Sequence, residues 1–287
     1  MQEIKIIFTQ SGQAIEKSSQ RNYRISFSII KNLSGSLNSC TVKIFNLDLD
    51  DAQSLMTYGT QLEASLIDDN GTYSLFRGHV KYAIHKRQSA DIYTEFYAES
   101  GMENIKAPIS QSFNASKISE IIPAIASNAQ LKYSQSNIII NGFTNSTVLT
   151  GTTKDVLDDL AKLYGFSWSI QDGELIAIDD NSTLPNVVNN QNHIISVTRI
   201  ADKPDTNGFG INVNLTISPE FKVGAGFKVN SFLNPNISGT VFKCHKIIHS
   251  GDSGATNFET TLVGYLPGKT YKKSTPEKQK SFLPILK

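Results

Sequence analysis

The sequence predicts a mainly β protein of the α+β class: two similar antiparallel β-barrel modules flanking a small α+β domain, followed by a C-terminal arm. Three observations predict it. Apolar residues alternate at the two-residue period of strands over most of residues 1–100 and again over 183–268. Helical spacing is confined to two runs between them, within 101–182. Residues 269–287 are basic and then apolar, too short to fold alone and suited to docking as an arm.

The chain opens with "MQEIKIIFTQSG", whose apolar stretch is too short for a signal peptide and reads as a first strand. In "NYRISFSIIK", Tyr23, Ile25, Phe27 and Ile29 share one face. The runs "CTVKIFNL", "QLEASLID", "LFRGHVKYAIHK" and "DIYTEFYAES" continue the pattern, with a turn at "DDNG", 68–71. Strands in this number with so little helix predict a first barrel over 1–100.

In "SKISEIIPAIASNA", Ile118, Ile121, Ile122 and Ile125 fall at helical spacing, with Ser116 as N-cap and Pro123 as a source of a kink or late start. "TTKDVLDDLAKLYG" is a clearer helix. Thr152 and Asp155 give a capping-box-like start, Val156, Leu157, Leu160, Leu163 and Tyr164 an apolar stripe, and Gly165 the stop. "FSWSIQDGELIAID" reads as a hairpin about Asp172-Gly173. These elements make 101–182 an α+β insert domain. "NSTLPNVVNNQNH", 181–193, reads as a boundary loop. The strand pattern returns in "HIISVTRI", "FGINVNLTISPEF", "FKVNSFL", "TVFKCHKIIHS" and "TNFETTLVGYL", giving a second barrel over 183–268 and an arm over 269–287. One echo joins the two β regions: His85 precedes Glu95 by ten residues, and His249 precedes Glu259 by the same ten.

Composition narrows the function. Lys and Arg number 27 against 26 Asp and Glu, so no global field gathers nucleic acid or an anionic membrane. Charged residues are 18% of the chain and Ser alone numbers 32, a neutral polar surface compatible with extensive protein contacts. The two cysteines, Cys40 and Cys244, sit in strand-like runs without metal spacing and read as buried apolar residues matured in a reducing compartment. No apolar run reaches the ~18 residues of a membrane span.

Gly251-Asp252-Ser253-Gly254 carries the letters that surround the nucleophile of trypsin-like proteases, so a serine hydrolase using Ser253 is one alternative. The context argues for a turn. Ala255 follows the tetrapeptide, and Asp, Ser and Gly are what a tight turn needs. A metal site would draw on His245 and His249 with His193, His79 or His85, but strand positions 245 and 249 lie ~13 Å apart. The carboxylate pairs at 48–51, 68–69, 158–159 and 179–180 read as solvated acids at turns and helix starts. "GFG", 208–210, opens no helix and makes no phosphate loop, and Trp168 alternates with Phe166 and Ile170 as core. No catalytic, metal or cofactor residue is assigned. A carbohydrate-binding β module is the second alternative.

Several segments resemble the baseplate hub proteins of tailed bacteriophages, a family similar to the N-terminal part of type VI secretion spike proteins. They are "CTVKIFNLD", "LFRGHVKYAIHKRQSADIYTEFYAESG", "TTKDVLDDLAKLYGFSWSIQDGELIAID" and the long run from "GINVNLTISPEF" to "HSGDSGATNFETTLVGY". The resemblance implies a structural virion protein: a homotrimer whose six barrels link a six-fold tail tube to a three-fold central spike. It implies as partners the tail tube or distal tail protein and the spike, with the tape measure protein as a further candidate. Assembly would take place in the host cytoplasm and the protein would reside in the virion baseplate, with no sequence-specific nucleic acid and no stable membrane insertion. By composition, Phe282, Leu283, Ile285 and Leu286 are the arm's candidate spike contacts.

Overall fold

A computed structural model describes residues 2–268 apart from 22, 58, 134–139, 141, 189–193, 201–209, 230–234 and 256. The arm, with Phe282, Leu283, Ile285 and Leu286, lies outside the described residues, as does His193.

Strands β1 (Glu3–Gln10) and β2 (Gln13–Ser18) form a hairpin, and β3 (Ile25–Asn32) and β4 (Ser39–Phe45) a second antiparallel pair. Helix α1 (Leu49–Leu55) leads into β5 (Gln61–Asp68), β6 (Gly71–Gln88) and β7 (Asp91–Glu99). The alternation works as the sequence predicts: Ile25, Phe27 and Ile29 of β3 face inward with Cys40, Val42 and Ile44 of β4, and Tyr23 packs on their rim. Burying each such aliphatic or aromatic side chain contributes roughly 1.5–3 kcal/mol.

The middle region contains α2 (Met102–Lys106), β8 (Pro108–Lys117), α3 (Ile118–Asn128), β9 (Lys132–Tyr133) and β10 (Phe143–Thr152). Helix α4 (Thr153–Tyr164) and the hairpin β11 (Phe166–Gln171) and β12 (Glu174–Asp179) complete it. Helix α4 starts on Thr152, whose Oγ1 accepts from Asp155 N at 3.2 Å, and stops at Gly165 with φ 69°. Asp172 and Gly173 both take positive φ, as the hairpin turn requires.

Two details differ from expectation. Leu163 is 72% exposed, because Val156, Leu157 and Leu160 already fill the inward stripe. The N-cap of α3 is Lys117, whose amide donates to Glu120 Oε2 at 3.2 Å, since Ser116 still belongs to β8; Pro123 lies within the helix.

Strand β12 is buried on both faces. Leu175 and Ala177 join the core of the middle region, with α3, α4 and Trp168, while Ile176 and Ile178 join the core of the last β region. The loop between β3 and β4 also grips this hairpin: Gly35 N donates to Trp168 O at 2.8 Å and Asn38 Nδ2 to Ile170 O at 2.8 Å.

The chain continues through β13 (Leu184–Val188), β14 (Ile194–Ile200), β15 (Gly210–Thr216), β16 (Ala225–Lys228), β17 (Val241–Asp252) and β18 (Asn257–Tyr265). Part of the expected boundary loop is therefore strand, since β13 pairs parallel with β16.

The mainly β class holds, but the described residues close neither of the two expected β-barrel modules. Thirteen strands make one sheet, in the path β14-β15-β18-β17-β3-β4-β7-β6-β5-β1-β2, with β16 and β13 attached beside β17. The order nonetheless recurs. From one end, β3-β4-β7-β6-β5-β1 and β14-β15-β18-β17-β16-β13 follow the same strand order, differing in that β1 runs antiparallel to β5 while β13 runs parallel to β16, and β17·β3 is the seam that fuses them. Strand β17 passes from β16 to β3 along one edge, β6 leaves β5 at the corresponding place, and each has a register shift there, between Cys244 and Lys246 and between Val80 and Tyr82.

Candidate functional site

The Gly-Asp-Ser-Gly turn sits on the seam. Strand β17 runs antiparallel to β3 from Lys246 opposite Asn32 to Asp252 opposite Ser26. Beyond the last pair the turn seals the junction. Ser253 N donates to Ile25 O at 2.9 Å, and Ile25 N donates to Ser253 Oγ at 2.9 Å. Arg24 Nε donates to Asp252 Oδ1 at 3.0 Å and Nη2 to Oδ2 at 2.9 Å, while the guanidinium lies 4.5 Å from the Phe45 ring centroid. Gly254 N also donates to Asp252 Oδ1, at 2.8 Å. The Arg24 hydrogen bonds, followed by the backbone ones, hold the Asp252 carboxyl below its ordinary range.

Both glycines make room for this clasp. A Cβ at Gly251 would stand 2.1 Å from the Phe258 ring, and one at Gly254 would stand 2.8 Å from Arg24 Nε. The tetrapeptide letters thus serve close approach as well as turning. Sequence reasoning found the turn and missed Arg24, because nothing local to residue 24 announces a partner 228 positions away.

The groups a hydrolase would need are engaged elsewhere. Ser253 Oγ accepts from a backbone amide, Asp252 binds Arg24, and His249 Nδ1 lies 2.9 Å from Thr260 Oγ1. His249 is 0% exposed, and burial, with a smaller effect of Lys31, pushes it down to about 3. His245 packs edge-on against Tyr265 at 5.3 Å, and His85 Nδ1 lies 2.9 Å from Thr94 Oγ1. Among the described residues no three His, Cys, Asp or Glu side chains converge as metal ligands would. Several paired carboxylates bind locally: Asp68 accepts from Asn70 N, Asp158 from Trp168 Nε1, Asp179 from Asn181 N and Asp180 from Ser167. Cys40 and Cys244 are free and buried, and burial pushes the Cys244 thiol up to about 12.

The internal echo resolves into a different pair from the one the spacing indicates. His85 lies opposite Thr94 in β6·β7, and His249 lies opposite Thr260 in β17·β18, each with the same 2.9 Å contact. The glutamates are not equivalent: Glu95 faces Ile84 and Glu259 faces Ser250. The repeated unit is a cross-strand His–Thr pair, which needs the register to be seen.

Several strand edges stand open among the described residues. Strands β2 and β14 end the sheet path, β8 and β10 pair only with each other, and β6 has one edge unpaired over 82–88. Beside that edge, Tyr82 (49% exposed) stacks on Tyr97 at 5.0 Å, and Ile84 is 39% exposed. Open edges of this kind favour strand pairing with another chain over chemistry on a small molecule.

The model of the family described as baseplate hub gp41 matches residues 4–264. Among solved structures, the chain is similar to the 43 kDa tail protein of prophage MuSo2 from Shewanella oneidensis. The TM-score is 0.64 and the identity 11%, over 92% of this chain and 97% of that one. A tail protein from Neisseria meningitidis gives 0.62 at 10% identity, covering 92% and 97%. An E. coli type VI secretion component, described as structurally similar to the T4 tail proteins gp27 and gp5, gives 0.58 at 11%, covering 87% and 74%. No curated protein matches the chain in sequence.

Proposed function

The chain belongs to the baseplate hub gp41 family, and we propose that it acts as the trimeric hub of a phage tail, joining a six-fold tube to a three-fold spike. The observation that carries this reading is the recurrence of one strand order in a single chain. Two equivalent units per chain, three chains and six positions around a tube reconcile the two symmetries. The divisions at about 100, 182 and 268 belong to this reading: the three hydrophobic clusters support the first two. Barrel closure, not found among the described residues of the single chain, would come with assembly.

The role is structural, with no catalytic step. Tube or distal tail protein, spike and tape measure protein are its partners, and the virion baseplate is its place after assembly in the host cytoplasm. The arm from residue 269, through Phe282, Leu283, Ile285 and Leu286, makes the spike contact. Permanent assemblies of this kind bury more than ~2,000 Å² per interface with apolar character.

Mass determination of the purified chain tests the reading: a trimer is expected, and a monomer at every concentration would overturn it. Deleting residues 275–287 should abolish retention of the spike protein in a pull-down. Unchanged retention would remove the arm from the proposal and leave the trimer.

A further inference from the structure

We propose that the open edge of β6, residues Tyr82–Gln88, pairs with β14 of a second copy of this chain, repeating between chains the junction that β17 and β3 make within one. The inference rests on the hub reading and specifies its subunit contact.

The equivalence is fixed residue by residue. The matching His–Thr pairs align His85 with His249, and the register shifts fall at the same distance before them, at Val80/Tyr82 and Cys244/Lys246. From β7 and β18 the alignment passes to the next strand. Glu99 faces Ser39 as Tyr265 faces Gly210, and Tyr97 faces Thr41 as Val263 faces Asn212. It then passes to the edge strands, where Ser39 faces Ile30 as Gly210 faces Ile200, and Thr41 faces Ser28 as Asn212 faces Thr198. Strand β3 is thereby matched to β14 by register alone. The letters agree independently: "ISFSII" at 25–30 against "ISVTRI" at 195–200.

Within the chain, β17 receives β3 on the edge it shares with β16, with Ile248 opposite Ile30 and Ser250 opposite Ser28. Strand β6 shares the corresponding edge with β5 up to His79, and Val80 still bonds Thr60, but from 82 onward that edge has no strand partner among the described residues. Its would-be partner type, β14, is the end strand at the far side of the sheet, paired only with β15 among the described residues. A single chain thus carries one made junction and the two halves of a second. The halves do not pair within the chain among the described residues, where seven strand spacings, about 34 Å along the sheet, lie between them. Two copies bring them together, and the contact is heterologous, so it continues around a ring until it closes.

Transferring the register puts Ile84 opposite Ile200 of the neighbouring copy, Lys86 opposite Thr198 and Gln88 opposite Ser196. The clasp is not repeated. Gln88 stands where Asp252 does, and Ile194 where Arg24 does, so no equivalent ion pair closes the inter-chain junction.

The test is cysteine cross-linking of the full chain. An Ile84→Cys, Ile200→Cys double variant should give disulfide-linked dimers and trimers on a denaturing gel. Ile84→Cys with Arg199→Cys, one residue out of register, should not. The native thiols are buried and do not compete. Separately, Ile84→Arg should reduce the trimer fraction about tenfold or more in solution mass measurements while leaving the monomer folded. A stable trimer without the engineered disulfide between positions 84 and 200, or with equal linking out of register, overturns this junction and leaves the hub reading intact. A protein that is monomeric at all concentrations overturns both.

Discussion

Arg24 and Asp252 stand 228 residues apart in sequence and meet as a bidentate pair, at 3.0 and 2.9 Å, at the end of the seam between β3 and β17. Both are partly exposed, so the pair is screened and contributes modestly. Arg24 also covers the Phe45 ring, and Asp252 also holds Gly254 N.

These partners set an order of effects. Arg24→Ala should cost about 1 kcal/mol, the sum of an exposed pair and a cation–π contact. Asp252→Ala should cost about 1–2 kcal/mol, because a turn amide loses its acceptor as well. Urea unfolding at low and high salt checks both: the Arg24 effect should shrink with salt, and the turn contribution should not.

Ser253→Ala removes the acceptor for Ile25 N and should destabilise by about 1 kcal/mol. The wild-type protein should remain unlabelled by a fluorophosphonate probe. Labelling that disappears in Ser253→Ala would reinstate the hydrolase.

Gly35 takes φ 64°, and a Cβ there would stand 2.8 Å from the Trp168 ring. Gly35→Ala should therefore prise the β3–β4 loop from the β11–β12 hairpin, at a cost of about 1–2 kcal/mol. The sole tryptophan reports it directly: its emission should shift to the red as the ring gains solvent.

His249 is neutral in the fold down to about 3, against an ordinary value of 6.5. Between those values the unfolded chain binds the extra proton, so stability should fall as pH falls from 6.5 toward 3, by up to about 1.4 kcal/mol per unit. His245, also pushed down to about 3 by burial and by Lys243, adds its share. Guanidinium unfolding at stepped pH checks this. His249→Gln should flatten the dependence while leaving His245's part.

Much of this fold is legible in the letters. Strands β3, β4, β5 and β7 announce themselves by alternation, and α4 by its Thr152 cap and Gly165 stop. The ribbon of β8 and β10 does not, because "PISQSFNASK" and "FTNSTVLTGT" are hydroxyl-rich and mostly exposed, so no apolar period marks them. Strand β13 hides behind Asn and Pro. The expectation of two barrels rests on a true repeat, but strand pairing across β17·β3 is a long-range choice that local pattern cannot encode. For the same reason the His–Thr pairs stay hidden in the letters: a histidine and a threonine nine or eleven positions apart acquire meaning only when the register sets them face to face.

Strand β12 divides its side chains between two cores, Leu175 and Ala177 to one and Ile176 and Ile178 to the other. It is a party wall, and that limits how the middle region can be exchanged. An engineer who grafts a foreign module between β7 and β13 must keep this strand or strip one side of the neighbouring core. The insertion is thus less a detachable cassette than a graft whose last strand has become part of its host.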